Sequence, residues 1–233
     1  AIDPSGYRVK LGLKHADPKI EASVEQLASE GVTKITGLVL APHYSTYSIG
    51  QYLDRTRTAA EPHGISVSGV DSWATEPAFV EFIASDLAAR LEQMPADSHV
   101  VFTAHSLPQR IIDSGDPYPD ELRSTAQAVA ARVGLEEGNG WSIGWQSAGR
   151  TPEPWIGPDI LDVIDGLGAN GTHRGVIVSA VGFVADHLEV LYDLDIEARA
   201  RAEQAGLAFD RTACVNDDPA VLHALAQRVV DAG

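Results

Sequence analysis

The sequence contains a single cysteine, Cys214. No disulfide can close within the chain, and no iron–sulfur cluster held by four thiolates can be built from it alone. No apolar run reaches the roughly 18 residues of a membrane span, and no signal peptide is expected. The cytoplasm is the compartment expected by default. Basic residues are scarce: 17 Lys and Arg stand against 33 Asp and Glu, a net charge of −16. Such a chain is a poor partner for nucleic acid or an anionic membrane surface, and it is suited to gathering cations. There is no G-x-G-x-x-G, phosphate loop, C-x-x-C or H-E-x-x-H, and no G-x-S-x-G elbow. Nucleotide binding, zinc hydrolysis and serine hydrolysis therefore have no motif behind them.

What is present is regular alternation. Short runs rich in Val, Ile and Leu, at residues 7–13, 34–40, 65–70, 99–104, 141–145 and 175–180, read as strands buried on both faces. Between them lie helix candidates at 18–30, 46–60, 76–93, 119–133 and 159–167, followed by 184–205 and 218–231. Strand–helix–strand alternation predicts an α/β fold with parallel sheets. The 233 residues fit one large domain or two small ones. Three strands precede the linker at 94–98 and three follow. This predicts two similar halves, residues 1–97 and 98–233. The chain enters its first strand-like run almost at once, which leads us to expect that an N-terminal part is missing.

In parallel sheets ligands sit beyond the carboxyl ends of the strands. Polar and aromatic residues follow nearly every strand here: His15, His43 to Thr46, Asp71 to Trp73, His105 and Ser106, and Gln146 and Ser147. His105 ends a buried strand. There it is either a proton acceptor or metal ligand, or a hydrogen-bonded structural histidine. The run from Thr151 to Pro158 carries three prolines that stiffen a loop presenting Trp155.

After the last of these strands comes GFVADHLEVLYDLDIE, with Asp186, Glu189, Asp193, Asp195 and Glu197. Glu189, Asp193 and Glu197 are spaced by four, so a helix stacks them on one face. Like charges so placed cost a helix about 0.2–0.5 kcal/mol per pair. Either a cation offsets that repulsion, or the stack is an ordinary solvated face.

The segments LGLKH, LVLAPHYSTYSIGQY, TAHSLP, GDPYPDEL, GWQSAGRTPEPWIGPD and VGFVADHLEVLYDLDIE resemble those of the ferrochelatases, in the same order and over essentially the whole chain. The resemblance is closest to the bacterial branch that acts on coproporphyrin III. It implies two Rossmann-like halves with a porphyrin cleft between them, the first half truncated, and insertion of Fe(II), as substrate metal, into the porphyrin. It implies a metal site at His105 and Glu189, with Asp193 and Glu197 as a line of acids leading outward. Tyr52, Trp155 and Ser147 are implied as porphyrin contacts, with Trp155 as the wall of the pocket. No iron–sulfur cluster, nucleic acid or transmembrane segment is expected, and the protein is expected to be a monomer. The alternatives are a truncated module that holds porphyrin or metal without turnover, and a chelatase for another tetrapyrrole and metal such as cobalt.

Overall fold

The structure, a computed structural model, describes residues 6–233. The chain forms two compact units, one running to Trp73 and taking up Leu222–Gly233, the other Ala74–Val221. This division differs from a seam at 94–98. The helix that follows Trp73 packs within the second unit, and the end of the last helix belongs with the first.

In the first unit, α1 (Ile20–Ser29) leads to β1 (Lys34–Leu38), α2 (Gln51–Ala60) and β2 (Ser66–Val70). A π-helical turn, Thr46–Gly50, precedes α2. β1 and β2 pair in parallel with Gly37 opposite Gly69. Leu53 of α2 rests on that glycine pair, and a Cβ on either would lie 2.7 Å from its methyl carbons. Helix and sheet approach closely only because both positions lack a side chain. Residues 7–13 are not a strand. Their apolar alternation finds no ladder among the described residues beyond a single bridge between Leu13 and Lys19, and Val9 is 90% exposed.

The second unit holds α3 (Pro77–Leu91), β3 (His99–His105), α4 (Gln109–Asp113) and α5 (Tyr118–Val133). It continues with β4 (Trp141–Gln146), α6 (Ile160–Asn170) and β5 (Gly175–Ser179). A composite helix follows, made of α7 (Leu188–Val190), a π-helix (Leu191–Ala198) and α8 (Arg199–Gln204). β6 (Ala208–Arg211) completes the sheet, and α9 (Pro219–Ala232) crosses the division between units. The sheet is parallel throughout, in the order β4-β3-β5-β6. α3 and α5 cover one face. α6 and the composite helix cover the other, over Val101, Val176 and Val178. β6 was not foreseen, since its four residues AFDR are half-exposed edge and carry little of the apolar signal of β3 and β5.

The strand order positions the site. From β3 the chain moves outward to β4, then returns to place β5 on β3's other side. β3 and β5 therefore flank a topological switch point, where successive connections leave in opposite directions and a crevice opens at the carboxyl ends.

Candidate functional site

His105 is the last residue of β3. Its ring Nδ1 lies against the carbonyl oxygen of Ser106, which can only accept, so Nδ1 carries a hydrogen and a neutral ring presents its lone pair at Nε2. The Tyr118 hydroxyl donates to the His105 carbonyl at 3.1 Å, fixing the backbone from the α5 side. The phenol is buried and its pKa is raised, first by that burial and then by Asp116 and Glu189, so it remains a donor.

Glu189 arrives from β5. Gly182 N donates to Thr103 O at 3.0 Å as the chain crosses the end of β3. A Cβ at Gly182 would sit 2.4 Å from that of Ala104, so only glycine permits the crossing. His187 then caps the composite helix, its Nδ1 accepting from Val190 N at 3.3 Å. Two residues later, Glu189 Oε1 stands 3.3 Å from His105 Nε2. That oxygen is buried and accepts no hydrogen bond among the described residues. Two lone-pair donors thus face each other across a gap that suits a proton or a cation. With each donor about 2.1 Å from a first-row metal ion, 3.3 Å corresponds to a ligand angle of roughly 100°. No three His, Cys, Asp or Glu side chains gather as a metal cage among the described residues. The pair therefore offers two donors and an open coordination sphere.

The helix expected at 184–205 exists only from Leu188, and its centre is π-helical. Hydrogen bonding from i to i+5 widens the turn. The acid line persists on this wider helix, with Glu189 and Asp193 half-buried and Glu197 exposed. The Ser147 hydroxyl donates to Asp193 Oδ2. Ser147 has a left-handed backbone, φ 61°, a conformation that costs a non-glycine residue about 1–3 kcal/mol and collects at functional sites.

Trp155 lies beside His105, ring centroids 6.5 Å apart, with its Nε1 donating to Thr151 Oγ1 at 2.9 Å. Gln109 N to Pro154 O and Ile156 N to Leu107 O, both 2.9 Å, tie its loop to the segment after β3. Trp73 and Trp145 are buried core residues. In the first unit, Tyr52 is half-buried on α2 and the Lys14 ammonium lies 5.8 Å from its ring centroid. His43 is buried there, and burial lowers its pKa to about 3, so it stays neutral near pH 7. The second unit thus brings together His105, Glu189 and Trp155, and separately Ser147 and Asp193, while Tyr52 lies in the first.

Three residues beside the site were given no role in the sequence. Tyr118 was visible only as part of GDPYPDEL. Gln146, opposite His105 in register, is buried; its Oε1 accepts from Thr103 Oγ1 at 3.0 Å, while its Nε2 has no partner among the described residues. Arg211, at the end of the unforeseen β6, binds two of the acids.

The family model described as Ferrochelatase matches residues 2–232. A coproporphyrin III ferrochelatase of Geobacillus kaustophilus is 41% identical over 233 residues, covering 98% of this chain and 73% of that protein. A ferrochelatase of Herpetosiphon aurantiacus is 42% identical over 228 residues, covering 95% and 73%. The coproporphyrin III ferrochelatase of Bacillus subtilis is 38% identical, covering 98% and 74%. Among solved structures, SirB from Bacillus subtilis with Fe3+ matches at a TM-score of 0.61 and 14% identity, over 94% of this chain and 79% of that one. This is a likeness of fold.

Proposed function

The chain belongs to the ferrochelatase family, and from that premise we propose that it inserts Fe(II) into coproporphyrin III, with His105 and Glu189 at the point of exchange. The naming of its relatives supports the substrate. The facing pair of His105 Nε2 and Glu189 Oε1 carries the assignment of residues.

A free-base porphyrin holds two inner N–H protons, and the four-nitrogen plane accepts Fe(II) only as both leave. The charge balances, one dication in and two protons out. His105 accepts a pyrrole proton at Nε2, because Nδ1 is already committed to a carbonyl. Glu189 faces the same space and takes either a proton or the metal at Oε1. Alternation between those two occupants is what insertion requires. Asp193 and Glu197 form the outward cation path, with exposure rising along it. Ser147 holds Asp193 in place. Trp155 supplies a flat apolar wall beside His105. Among the described residues no helix is long and apolar enough to cross a membrane.

The test is anaerobic loss of coproporphyrin III fluorescence on adding Fe(II). The chain is expected to insert iron, and His105→Ala to abolish insertion while still binding porphyrin. Normal turnover by His105→Ala would remove His105 from the mechanism. Porphyrin binding without insertion by the unaltered chain would favour a binding module instead.

A further inference from the structure

Arg211 ends β6, and its side chain is only 12% exposed. Nε and Nη2 form a fork on Asp195, at 2.9 Å to Oδ1 and 3.0 Å to Oδ2. Nη1 reaches Asp186 Oδ1 and the Thr212 carbonyl, each at 3.0 Å. Asp186 is held a second time by Asn216, whose Nδ2 donates to Oδ2 at 2.8 Å and whose Oδ1 accepts from the Asp186 amide at 3.0 Å. Asn216 adopts a left-handed backbone, φ 48°, and its amide donates to Val184 O at 2.7 Å.

These contacts grip the polypeptide at two points. Asp186 lies just before the composite helix, and Asp195 lies inside its π-helical stretch. Glu189 lies between them, touched by neither. The same guanidinium thus fixes the approach to Glu189 and the helix that carries it. We propose that Arg211 is a positioning residue for metal insertion, a brace that sets Glu189 against His105 by holding Asp186 and Asp195 together.

Three physical arguments support the brace. A planar guanidinium can engage one carboxylate through a fork and still present N–H groups to a second; an ammonium cannot. The π-helix is a rare arrangement, found most often at functional sites. Finally, this helix already carries Glu189, Asp193 and Glu197. Without Arg211, Asp186 and Asp195 would add two uncompensated charges to it. The two acids that do not point along the outward line therefore have a use: they are the handles by which the line is held.

The proposal rests on the functional reading above, and its test separates the two. Arg211→Lys keeps the charge and loses the fork. The expected result is coproporphyrin binding unchanged within about twofold, kcat for iron insertion lower by roughly 10- to 100-fold, as misplacing a reacting group does, and faster amide exchange across residues 186–198. Adding Asp195→Asn to Arg211→Lys is expected to cost little more, because both remove one contact. A variant that melts earlier but retains the wild-type kcat would overturn the proposal, as would full additivity of the two changes. If Arg211→Lys does not fold, Asp195→Asn alone is judged by the same kcat and exchange readings. If the unaltered chain inserts no iron, the functional reading fails by itself; unchanged exchange of residues 186–198 in Arg211→Lys would then reject the brace independently.

Discussion

Gly149 has no side chain, and the Trp155 indole fills the space where one would be. A Cβ there would lie 2.3 Å from Cζ2, 2.8 Å from Cη2 and 3.0 Å from Cε2 of that ring. Gly149→Ala must therefore turn the indole out of place. We expect about tenfold weaker coproporphyrin binding, within the roughly 1–3 kcal/mol that overpacking costs, and a shifted tryptophan emission. In a Trp155→Phe background, whose smaller ring vacates the contested space, the same substitution should have almost no effect. Fluorescence titrations of the four proteins check this, and equal losses in both backgrounds would refute it. At this scale the sequence was readable where a residue falls in a long motif. His105 and Glu189 fall in long motifs and stand face to face. It was silent where purpose depends on neighbours. Nothing in the run of letters indicates that Tyr118 holds the carbonyl of His105, or that Ser147 turns left-handed to reach Asp193.

The composite helix carries the clearest lesson about elements. Its buried residues Val190, Leu194, Ala198 and Ala202 recur strictly every four positions. On an α-helix of 3.6 residues per turn such a seam drifts about 40° with each step. A wider turn lets it stay in register with the sheet, and the acid line at 189, 193 and 197 stays in register with it. A period of four falls between the α turn and the wider π turn, so it fits a helix that combines the two. Buried strands such as β3 and β5 were legible because both faces are apolar; β6 was not, being short and at an edge. The graded exposure of the acid line yields a prediction at the same scale. Glu197→Gln should lower the insertion rate at low Fe(II) and leave it near normal at saturation, read from initial rates over a range of iron concentrations. Slowing that is independent of iron would count against a cation path.

Each unit of the molecule buries a histidine in its neutral form. His43 in the first is lowered to about 3 by burial. His99 in the second is also lowered, chiefly by burial and further by neighbouring His173, while its Nδ1 and Nε2 lie 3.1 Å from Asn139 O and 2.9 Å from Ser142 Oγ. The unfolded chain binds these protons near pH 6.5 and the folded chain does not, so acid favours unfolding. The stability they provide is complete above about pH 6.5 and declines below it, for His43 down to about 3. Thermal melts should show a level Tm at pH 7 and above and a fall between pH 6.5 and 5, with net proton uptake on unfolding over that window. A Tm constant across it would be the contrary result. Carboxylates held low by partners, such as Asp186 beside Asn216 and Arg211, act only in stronger acid. The doubly wound arrangement of the second unit followed from alternation alone, whereas the division near Trp73 depends on which helix packs where and left no mark in composition. Along the chain His105 comes first, Glu189 much later, and Arg211 with Asn216 later still. Under the proposed roles, synthesis from the N-terminus makes both members of the exchange pair before the clamp proposed to align them.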